Sequence, residues 1–406
     1  MRISASSVEI FKYTSIRGGV IMKALNWGMI GGGEGSQIGP AHRIATSMDG
    51  LFAFKAGALD ADPARGRDYA QRLGIAPDRA YGNWREMLQG EKGRADRIDL
   101  VTIATPNSTH FEITKAFLEA GIAVLCEKPM TVTVEEAEEI AATAKRTGTL
   151  CAVNYGYSGY PLVREMRAMI KRGDLGKIRL IRTEFAHGFH ADAADADNPR
   201  VRWRYDPAQA GISAQFADCG IHALHLASFV AGQDAKELSA SFASVLSSRT
   251  LEDDAWVSIR MDGGALVRLW TSSVAVGRMH GFNIEVYGEA GGLRWAQEWP
   301  NQLFYTPLNG RTQIIERGNS GQSPEAARAT RVTIGHPEGF TTAISNIYLD
   351  LAEAITAKKE GRAPDDNAMS FPTAVDGLRS IAAIKAAVDS HKNGGQWTDA
   401  RPPSLR

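Results

Sequence analysis

A lysine and an aspartate–histidine pair are the residues of this chain whose types and spacing best suit chemistry on a hydroxyl group. Lys128 stands in a Glu-Lys-Pro tripeptide, directly after the apolar, strand-like run 122–126. An ammonium group there can hydrogen-bond a substrate oxygen and stabilise negative charge on it. Further along, Asp218 precedes His222 by four residues, one turn of a predicted helix. A carboxylate at this spacing can orient the imidazole for general acid–base catalysis.

His225 continues the same predicted helix face, which leaves a metal site as an alternative. Carboxylate and imidazole ligands at helical spacing suit a divalent ion. Because no fourth ligand is evident, we predict no metal here and leave His225 as either a packed residue or a substrate contact. His187 and His190, with Asp192, form a similar cluster, which we interpret as a solvated loop or part of a substrate rim.

A glycine-rich turn follows the predicted strand 24–30 and indicates a site for a dinucleotide pyrophosphate, because backbone N–H groups and a helix N-terminus can approach phosphate there. Two glycines fit the start of G-x-G-x-x-G, but its sixth position is Ser36, so Gly39 is an alternative third glycine in a longer loop. The predicted cofactor contacts in this turn are Gly31, Gly33, Ser36, Gln37 and Ile38.

Asp60 ends the second predicted strand, 52–59, and favours NAD as the cofactor. An acidic residue at this distance from the glycines can accept hydrogen bonds from the ribose hydroxyls and would repel a 2′-phosphate. Asp62 and Pro63 supply a better helix cap than Asp60 does. Arg65 and Arg67 follow closely enough to keep NADP as an alternative.

The order of the predicted elements indicates an α/β protein of two domains. Strands and helices alternate over residues 23–153, the pattern of a Rossmann domain with a doubly wound parallel sheet. Residues 154–406 predict an α+β domain with a largely antiparallel, open-faced sheet, whose final helices can pack back on the first domain. Segments 191–198 and 319–331 are predicted as loops, and residues 1–22 as an extension without a secretory signal.

Composition excludes several classes of function. Lys+Arg and Asp+Glu both number 46 in 406 residues, which argues against an electrostatic nucleic-acid binder. No apolar run reaches the roughly 20 residues of a membrane span. The three cysteines, Cys126, Cys151 and Cys219, lack metal-ligand spacing and suit a reducing cytoplasm.

These motifs together resemble the Gfo/Idh/MocA family of glucose-fructose oxidoreductase and inositol dehydrogenase-like enzymes. The resemblance runs from residue 22 onward and includes the glycine turn, a Thr-Pro-Asn turn, Glu-Lys-Pro and the Asp/His helix, in order. It implies that Thr105, Pro106, Asn107 and His110 lie against the nicotinamide, although His110 fits a structural role better. Glu127 is expected to anchor the loop or the cofactor.

The resemblance implies reversible hydride transfer between NAD and a hydroxyl carbon of a sugar, inositol or glycoside. Lys128, Asp218 and His222 would be catalytic, with Asp218 orienting His222 and with either Lys128 or His222 accepting the proton. Burial could bring the pKa of Lys128 closer to neutrality. Expected substrate contacts combine aromatic faces with polar donors, although each aromatic residue could equally be interface core: Asn154, Tyr155, Tyr157, Trp203, Arg204 and His225.

Two other functions fit the same fold. One is an enzyme that keeps NAD tightly bound and recycles it internally, as a sugar–sugar oxidoreductase or in redox-assisted glycoside cleavage. The other is a sugar-sensing regulator, which the retention of Lys128, Asp218 and His222 speaks against. Related proteins cover their open sheet by pairing, so we expect a homodimer or homotetramer.

Overall fold

The computed structural model describes residues 24–406, which form two β-sheets and the helices around them. The predicted extension, residues 1–22, lies outside these described residues. The strands are β1 (Leu25–Gly31), β2 (Phe52–Ala58), β3 (Leu100–Ala104), β4 (Ala123–Cys126), β5 (Cys151–Val153), β6 (Ile178–Ala186), β7 (Ala235–Ala243), β8 (Asp254–Met261), β9 (Leu266–Ser272), β10 (Asn283–Gly288), β11 (Gly291–Ala296), β12 (Gln302–Pro307), β13 (Gln313–Glu316) and β14 (Thr398–Asp399). The helices are α1 (Ile38–Ser47), α2 (Pro63–Arg72), α3 (Trp84–Lys92), α4 (His110–Glu119), α5 (Val134–Thr147), α6 (Pro161–Arg172), α7 (Pro199–Arg202), α8 (Pro207–Ala210), α9 (Ile221–Ala231), α10 (Pro324–Ala329), α11 (Phe340–Glu360) and α12 (Ala374–Lys392).

The first sheet is parallel and has the strand order β2-β1-β3-β4-β5. Its strands are short, apolar and buried on both faces, as helices on either side of a parallel sheet require. The order reverses between β1 and β3, and open α/β sheets bind ligands in the crevice at such a switch point. The predicted doubly wound fold is confirmed.

Two apolar clusters lie on opposite faces of this sheet. On one face, alternate strand residues such as Val101 and Val124 pack against Phe117 of α4 and Ile140 of α5. On the other face, residues such as Leu100 pack with α1, α2 and, from the far end of the chain, α11. Helix α11 therefore completes the apolar core on this face of the parallel sheet.

The second sheet has nine strands in the order β13-β12-β11-β10-β6-β9-β8-β7-β14, in which β6 and β9 are parallel and the other pairs antiparallel. Its inner face is buried beneath α6, α9 and α12. The outer face is exposed: along β8, Val257 is buried whereas the neighbouring Trp256 is 55% exposed. This open-faced sheet matches the prediction for the C-terminal domain.

The sequence pattern missed several elements of this domain. Strands β11 to β13 carry few unbroken apolar alternations, so they did not stand out. Residues 319–331, predicted as a loop, contain α10, whose first turn is capped by Ser323 accepting the amide of Ala326. Over residues 24–406, no helix is long and apolar enough to cross a membrane.

Candidate active site

The glycine turn after β1 passes between two other strand ends with no room for side chains. Gly31 has φ 73°, and a Cβ built on it would lie 2.4 Å from the Ala104 carbonyl oxygen. A Cβ on Gly33 would lie 2.2 Å from the Leu59 carbonyl oxygen. The backbone can approach its neighbours this closely only with glycine at these positions. The turn therefore offers a bare backbone surface beside the N-terminus of α1.

Gly39 takes the role of the third glycine. A Cβ on this residue would lie 2.0 Å from the Gly32 carbonyl oxygen, so the first turn of α1 packs directly on the glycine turn. Ser36 instead accepts a hydrogen bond from the Gly39 amide through its hydroxyl group (3.1 Å). The sequence left Ser36 and Gly39 as alternatives for the third motif position, and Gly39 is the one that packs the helix closely on the turn. Gln37 and Ile38 stand at the helix start between them.

Asp60 lies just beyond the carboxyl end of β2, close to the predicted strand end, but its carboxylate is paired. It accepts two hydrogen bonds from the Arg65 guanidinium (2.9 and 2.7 Å) and one from the Asp62 amide. The bonds from Arg65 outweigh partial burial and lower the pKa of Asp60. The Arg65 side chain is 63% exposed, so it can leave Asp60 at little cost. Arg67 pairs with Glu86 rather than with this carboxylate.

The segment after β3 borders the glycine turn, and His110 in it is structural. Thr105 is close enough that a Cβ on Gly31 would lie 2.8 Å from its Cγ2. Pro106 and Asn107 follow at the surface. The two ring nitrogens of His110 lie 2.9 Å from the carbonyl oxygens of Pro129 and Thr105. The buried ring is thus committed to backbone and has no nitrogen left for a cofactor.

Lys128 follows β4 and pairs with Asp218. Its Nζ donates to the Asp218 main-chain carbonyl (2.8 Å) and to one carboxylate oxygen, while Arg204 Nε lies 3.5 Å from the other. Burial opposes the charged form of Lys128, but the Asp218 carboxylate outweighs burial and raises the lysine pKa. Desolvation likewise opposes charge on Asp218, and the two cations outweigh it and hold the pKa of this carboxyl well below its usual range. The expectation that burial brings the Lys128 pKa toward neutrality is therefore wrong.

Asp218 does not orient His222, contrary to prediction. Asp218 lies in a single π-helical turn, Phe216–Gly220, that precedes α9. A π turn holds more residues than an α turn, so positions four apart no longer superpose. Among the described residues, no hydrogen bond joins the two side chains, and His222 Nδ1 has no partner. Burial and the Lys128 charge lower the pKa of His222 well below 6.5.

Aromatic rings hold His222 instead. Tyr157 and Tyr155 meet its ring edge-on, with centroids 4.9 and 5.7 Å away. Tyr157 itself packs on Phe282, and Tyr155 stacks on His225 at 4.2 Å. These buried contacts favour the interface-core alternative for both tyrosines and the packed alternative for His225. Burial also lowers the pKa of His225 to about 4.

The other predicted substrate residues divide between two places. Asn154 is buried and donates to Glu127 Oε1 (2.5 Å), so its amide group supports the catalytic turn. Arg204 lies beside Asp218, with its Nε 3.5 Å from the carboxylate, and its guanidinium lies 4.6 Å above the Trp203 ring. Both are half-buried. Of the expected contacts, these two are the ones that are not buried.

Two residues of the site were missed. His187 was interpreted as a rim or loop residue, yet it is buried at the end of β6, where its Nε2 lies 3.6 Å from Cys219 Sγ. Burial lowers the pKa of His187 to about 4. Glu252 accepts hydrogen bonds from the Ser213 hydroxyl and the Ala214 and Phe216 amides, which fixes the start of the π turn. The His187/His190 pair was a sequence signal, but Glu252 carried none.

These observations fit a nicotinamide dinucleotide. The side-chain-free glycine turn suits a pyrophosphate, Asp60 suits the adenosine ribose, and Lys128 ends the strand at which the nicotinamide would lie. Over the described residues, no three His, Cys, Asp or Glu side chains come together as a metal site. A parallel sheet with this crevice, joined to a domain that supplies Asp218 and His222, defines an NAD-binding oxidoreductase.

Comparison with known proteins agrees. Residues 25–155 match the family model described as an oxidoreductase family with an NAD-binding Rossmann fold, and residues 163–294 match the GFO/IDH/MocA C-terminal domain. The chain belongs to the Gfo/Idh/MocA family, as its motifs predicted, and its cofactor is NAD.

Three relatives illustrate this membership. An inositol dehydrogenase homolog from Azotobacter vinelandii, solved with NADH and myo-inositol, is 40% identical with a TM-score of 0.85, over 93% of this chain and 98% of that one. The uncharacterized oxidoreductase YfiI of Bacillus subtilis is 38% identical over 94% of this chain and 98% of its own length. Levoglucosan dehydrogenase of Pseudarthrobacter phenanthrenivorans is 26% identical over 70% of this chain and 76% of its own length.

Proposed function

We propose that this protein catalyses reversible hydride transfer between NAD and a secondary hydroxyl carbon of a sugar, inositol or glycoside. The observation that carries the proposal is that a charged Lys128, paired with Asp218, is close enough to His222 for its charge, together with burial, to keep that imidazole neutral. A charged donor and a neutral base in one site are what a hydroxyl group needs to lose its proton.

The cofactor would be held by the bare backbone of the glycine turn, by Asp60 at the ribose, and by Thr105, Pro106 and Asn107 near the nicotinamide. Bound there, NAD supplies a hydride acceptor in oxidation and a hydride donor in reduction. We assign no direct contact to His110, whose ring nitrogens face carbonyl groups. Glu127 acts from behind the turn, through its neighbours.

The acid–base roles follow from the two pKa directions. Lys128 stays protonated because its pKa is raised, so it donates to the substrate oxygen and stabilises the negative charge that develops there. His222 stays neutral because its pKa is lowered, so it can accept the hydroxyl proton in oxidation and return it in reduction. Asp218 keeps the ammonium charged and in place. We therefore favour His222 over Lys128 as the proton acceptor.

The lining of the cleft supports an uncharged polyol as substrate. Three imidazoles with lowered pKa values, His187, His222 and His280, gather around Phe185 as neutral hydrogen-bonding groups. Phe185 and Trp203 add apolar faces, and such mixtures suit the apolar and hydroxyl sides of a ring of carbinols. The A. vinelandii relative solved with myo-inositol puts inositols first among the candidates.

Domain organisation and setting complete the proposal. We divide the chain into an NAD-binding domain of residues 23–153 and a substrate and assembly domain of residues 154–406, on the support of the two separate sheets. Stacked Trp256 and Trp270 on the open face of the second sheet support pairing of copies as a homodimer or homotetramer. The three buried free thiols support a cytoplasmic setting.

The experiment is nicotinamide reduction by purified protein across inositols, anhydrosugars, free sugars and glycosides, with NAD and NADP side by side. Turnover with one substrate group supports the dehydrogenase and names its class. If no substrate of the panel is oxidised but nucleotide is released when the protein is denatured, the result favours the internally recycling enzyme. If no substrate is oxidised and no nucleotide is bound, the enzymatic proposal is overturned in favour of a regulator.

A further inference from the structure

A buried chain of hydrogen bonds crosses the N-terminal domain and ends on the residue before the catalytic lysine. It runs from Trp27 Nε1 to Thr102 Oγ1 (2.9 Å), from there to the Tyr348 hydroxyl (2.7 Å), on to His42 Nδ1 (2.8 Å), and from His42 Nε2 to Glu127 Oε1 (2.9 Å). Every residue in the chain is buried. Its members come from β1, β3, α11, α1 and the turn after β4.

The donors and acceptors give this chain one direction. The Trp27 indole can only donate, so Thr102 accepts from it and directs its own hydroxyl hydrogen to Tyr348. Tyr348 then donates to His42 Nδ1. That leaves the His42 proton on Nε2, where it meets the Glu127 carboxylate. With a neutral His42, every hydrogen has an acceptor.

Protonating His42 would break this arrangement. An imidazolium must donate from Nδ1, which turns the Tyr348 hydroxyl toward Thr102. Thr102 would then accept two hydrogen bonds, and among the described residues its own hydroxyl hydrogen would have no acceptor. A buried hydroxyl without a partner costs about 1–3 kcal/mol.

Glu127 connects this chain to the catalytic turn. Its Oε1 accepts from both His42 and the Asn154 side-chain amide, and its Oε2 lies 3.3 Å from the Lys128 backbone nitrogen, which donates to it. The Glu127 carboxylate thus holds the peptide group from which the Lys128 side chain projects. Fixing Glu127 fixes the origin of the ammonium that meets Asp218.

We propose that His42 is a positioning residue for catalysis: neutral, with its proton on Nε2, it holds Glu127 and thereby the Lys128 turn, and Tyr348 locks its tautomer. This proposal rests on the proposed function only in its kinetic consequence. The tautomer and the hydrogen bond to Glu127 stand without it. Tyr348 makes helix α11, near the end of the chain, part of the support of the catalytic lysine.

The pKa of Glu127 depends on the charged and titratable groups around it, so removal of His42 should be detectable as a change in pH dependence. Burial raises the pKa of Glu127, and the hydrogen bonds from His42 and Asn154, with the charge of Lys128, outweigh burial and lower it. The titratable and charged groups facing it from the packed elements are His42, Tyr348, His110, Cys126, Lys128, Tyr155 and Tyr157. Removing His42 therefore makes Glu127 easier to protonate.

The kinetic test compares His42→Leu, His42→Gln and Tyr348→Phe, because a glutamine amide can replace the Nε2–H donor. We expect His42→Leu to lower kcat on the order of 10-fold to 100-fold with little change in the KM for NAD. The acid limb of its kcat profile should move to higher pH. His42→Gln should recover most of kcat, and Tyr348→Phe should leave the acid limb in place. Equal losses in Leu and Gln variants, or an unmoved acid limb in His42→Leu, would overturn the proposal.

The control is Thr149→Val, which removes a buried hydrogen bond to the Leu118 carbonyl (3.1 Å) away from Glu127. It should lower stability without moving the pH profile.

A spectroscopic test needs no substrate. Long-range ¹H–¹⁵N spectra of histidine-labelled wild type near neutral pH should contain an Nε2–H tautomer that His42→Gln removes. An Nδ1–H tautomer or an imidazolium at His42 would overturn the proposal. If no substrate is turned over, the proposed function fails, but the ¹H–¹⁵N spectra still test the tautomer assigned to His42.

Discussion

The Lys128 ammonium donates to both the main-chain carbonyl and the carboxylate of Asp218, so one ion pair joins the two domains at the cleft. An ammonium has three hydrogens, and these two bonds leave one for a substrate oxygen. The pair therefore acts as a clamp between domains and as a preset donor. In the proposed reaction, this geometry and the raised lysine pKa together keep a charged donor ready for the substrate oxygen.

Lys128→Ala and His222→Ala should each remove turnover while leaving NAD affinity nearly unchanged, because neither side chain holds the pyrophosphate or adenosine. Loss of a preorganised donor costs about 10²–10³-fold in kcat, and loss of a general base about 10²–10⁴-fold. Steady-state rates and NADH binding by fluorescence measure both effects. The exposed Lys171→Ala serves as the matched control. Near-normal turnover in either variant would remove that residue from the mechanism.

His225→Phe should make stability less dependent on acid pH. His225 has a folded-state pKa of about 4 against an ordinary 6.5, so the unfolded chain binds its proton first as pH falls. Wild-type stability then decreases by about 1.4 kcal/mol per pH unit from this residue between those values. Phenylalanine keeps the stack on Tyr155 but cannot be protonated. Denaturant unfolding at about pH 7 and about pH 5 should show the variant gaining relative to wild type, and a constant difference would refute the assignment.

Asp60→Ala should weaken NADH more than NADPH. The variant loses the ribose acceptor and releases the Arg65 guanidinium, which can then meet a 2′-phosphate. Charged hydrogen bonds of this kind are worth about 1.5–3 kcal/mol, or roughly 10-fold or more in affinity. Titration of each nucleotide by fluorescence gives the ratio. Arg65→Ala is the partner variant, and a ratio unchanged by Asp60→Ala contradicts the ribose role.

Glu252→Ala should loosen the π turn that carries Asp218. One carboxylate oxygen accepts from the Ser213 hydroxyl and from two backbone amides, and removing it orphans those buried donors. We expect the free energy of unfolding to fall by about 2–4 kcal/mol and kcat to fall with it. Glu252→Gln, which keeps an acceptor oxygen, should retain most of both. Full activity in the alanine variant would show that the π turn keeps its conformation without Glu252.

Trp256→Glu should dissociate the proposed homodimer or homotetramer. Trp256 lies on the open face of the nine-stranded sheet and stacks on Trp270 with ring centroids 5.3 Å apart. A buried carboxylate at a sheet interface is costly. Light scattering should give a dimer or tetramer for wild type and a smaller species for the variant. The control is Ile334→Glu, in a loop outside the sheets. A wild-type protein that is monomeric at micromolar concentration would contradict the proposed oligomer.

Features that depend on neighbours in sequence were predictable. The capping box of Thr133 and Glu136 and the Asp62 cap follow from local pattern, as do the positions of Asp60 and Lys128 just beyond strands β2 and β4. Glycine spacing located the cofactor turn and left Gly39 as one of two candidates for the residue that packs helix α1 on it. Burial could be judged only roughly, so the two tyrosines after β5 could not be separated into core and cleft.

Features that depend on distant contacts were not predictable. The π turn shifts Asp218 by a fraction of a helical turn, which is enough to exchange His222 for Lys128 as its partner. No spacing rule anticipates that shift. His42 and Tyr348 are 306 residues apart, and Glu252 reaches Ser213 from another loop. Only the packed fold brings such groups within hydrogen-bonding distance.

The packing of α11 on the parallel sheet has a consequence for synthesis on the ribosome. When residue 153 leaves the exit tunnel, all five strands of the Rossmann sheet exist, but one of its faces still lacks the helix that covers it. That helix, Phe340–Glu360, is translated nearly 200 residues later. The nascent first domain therefore keeps this apolar face exposed until α11 has been synthesised.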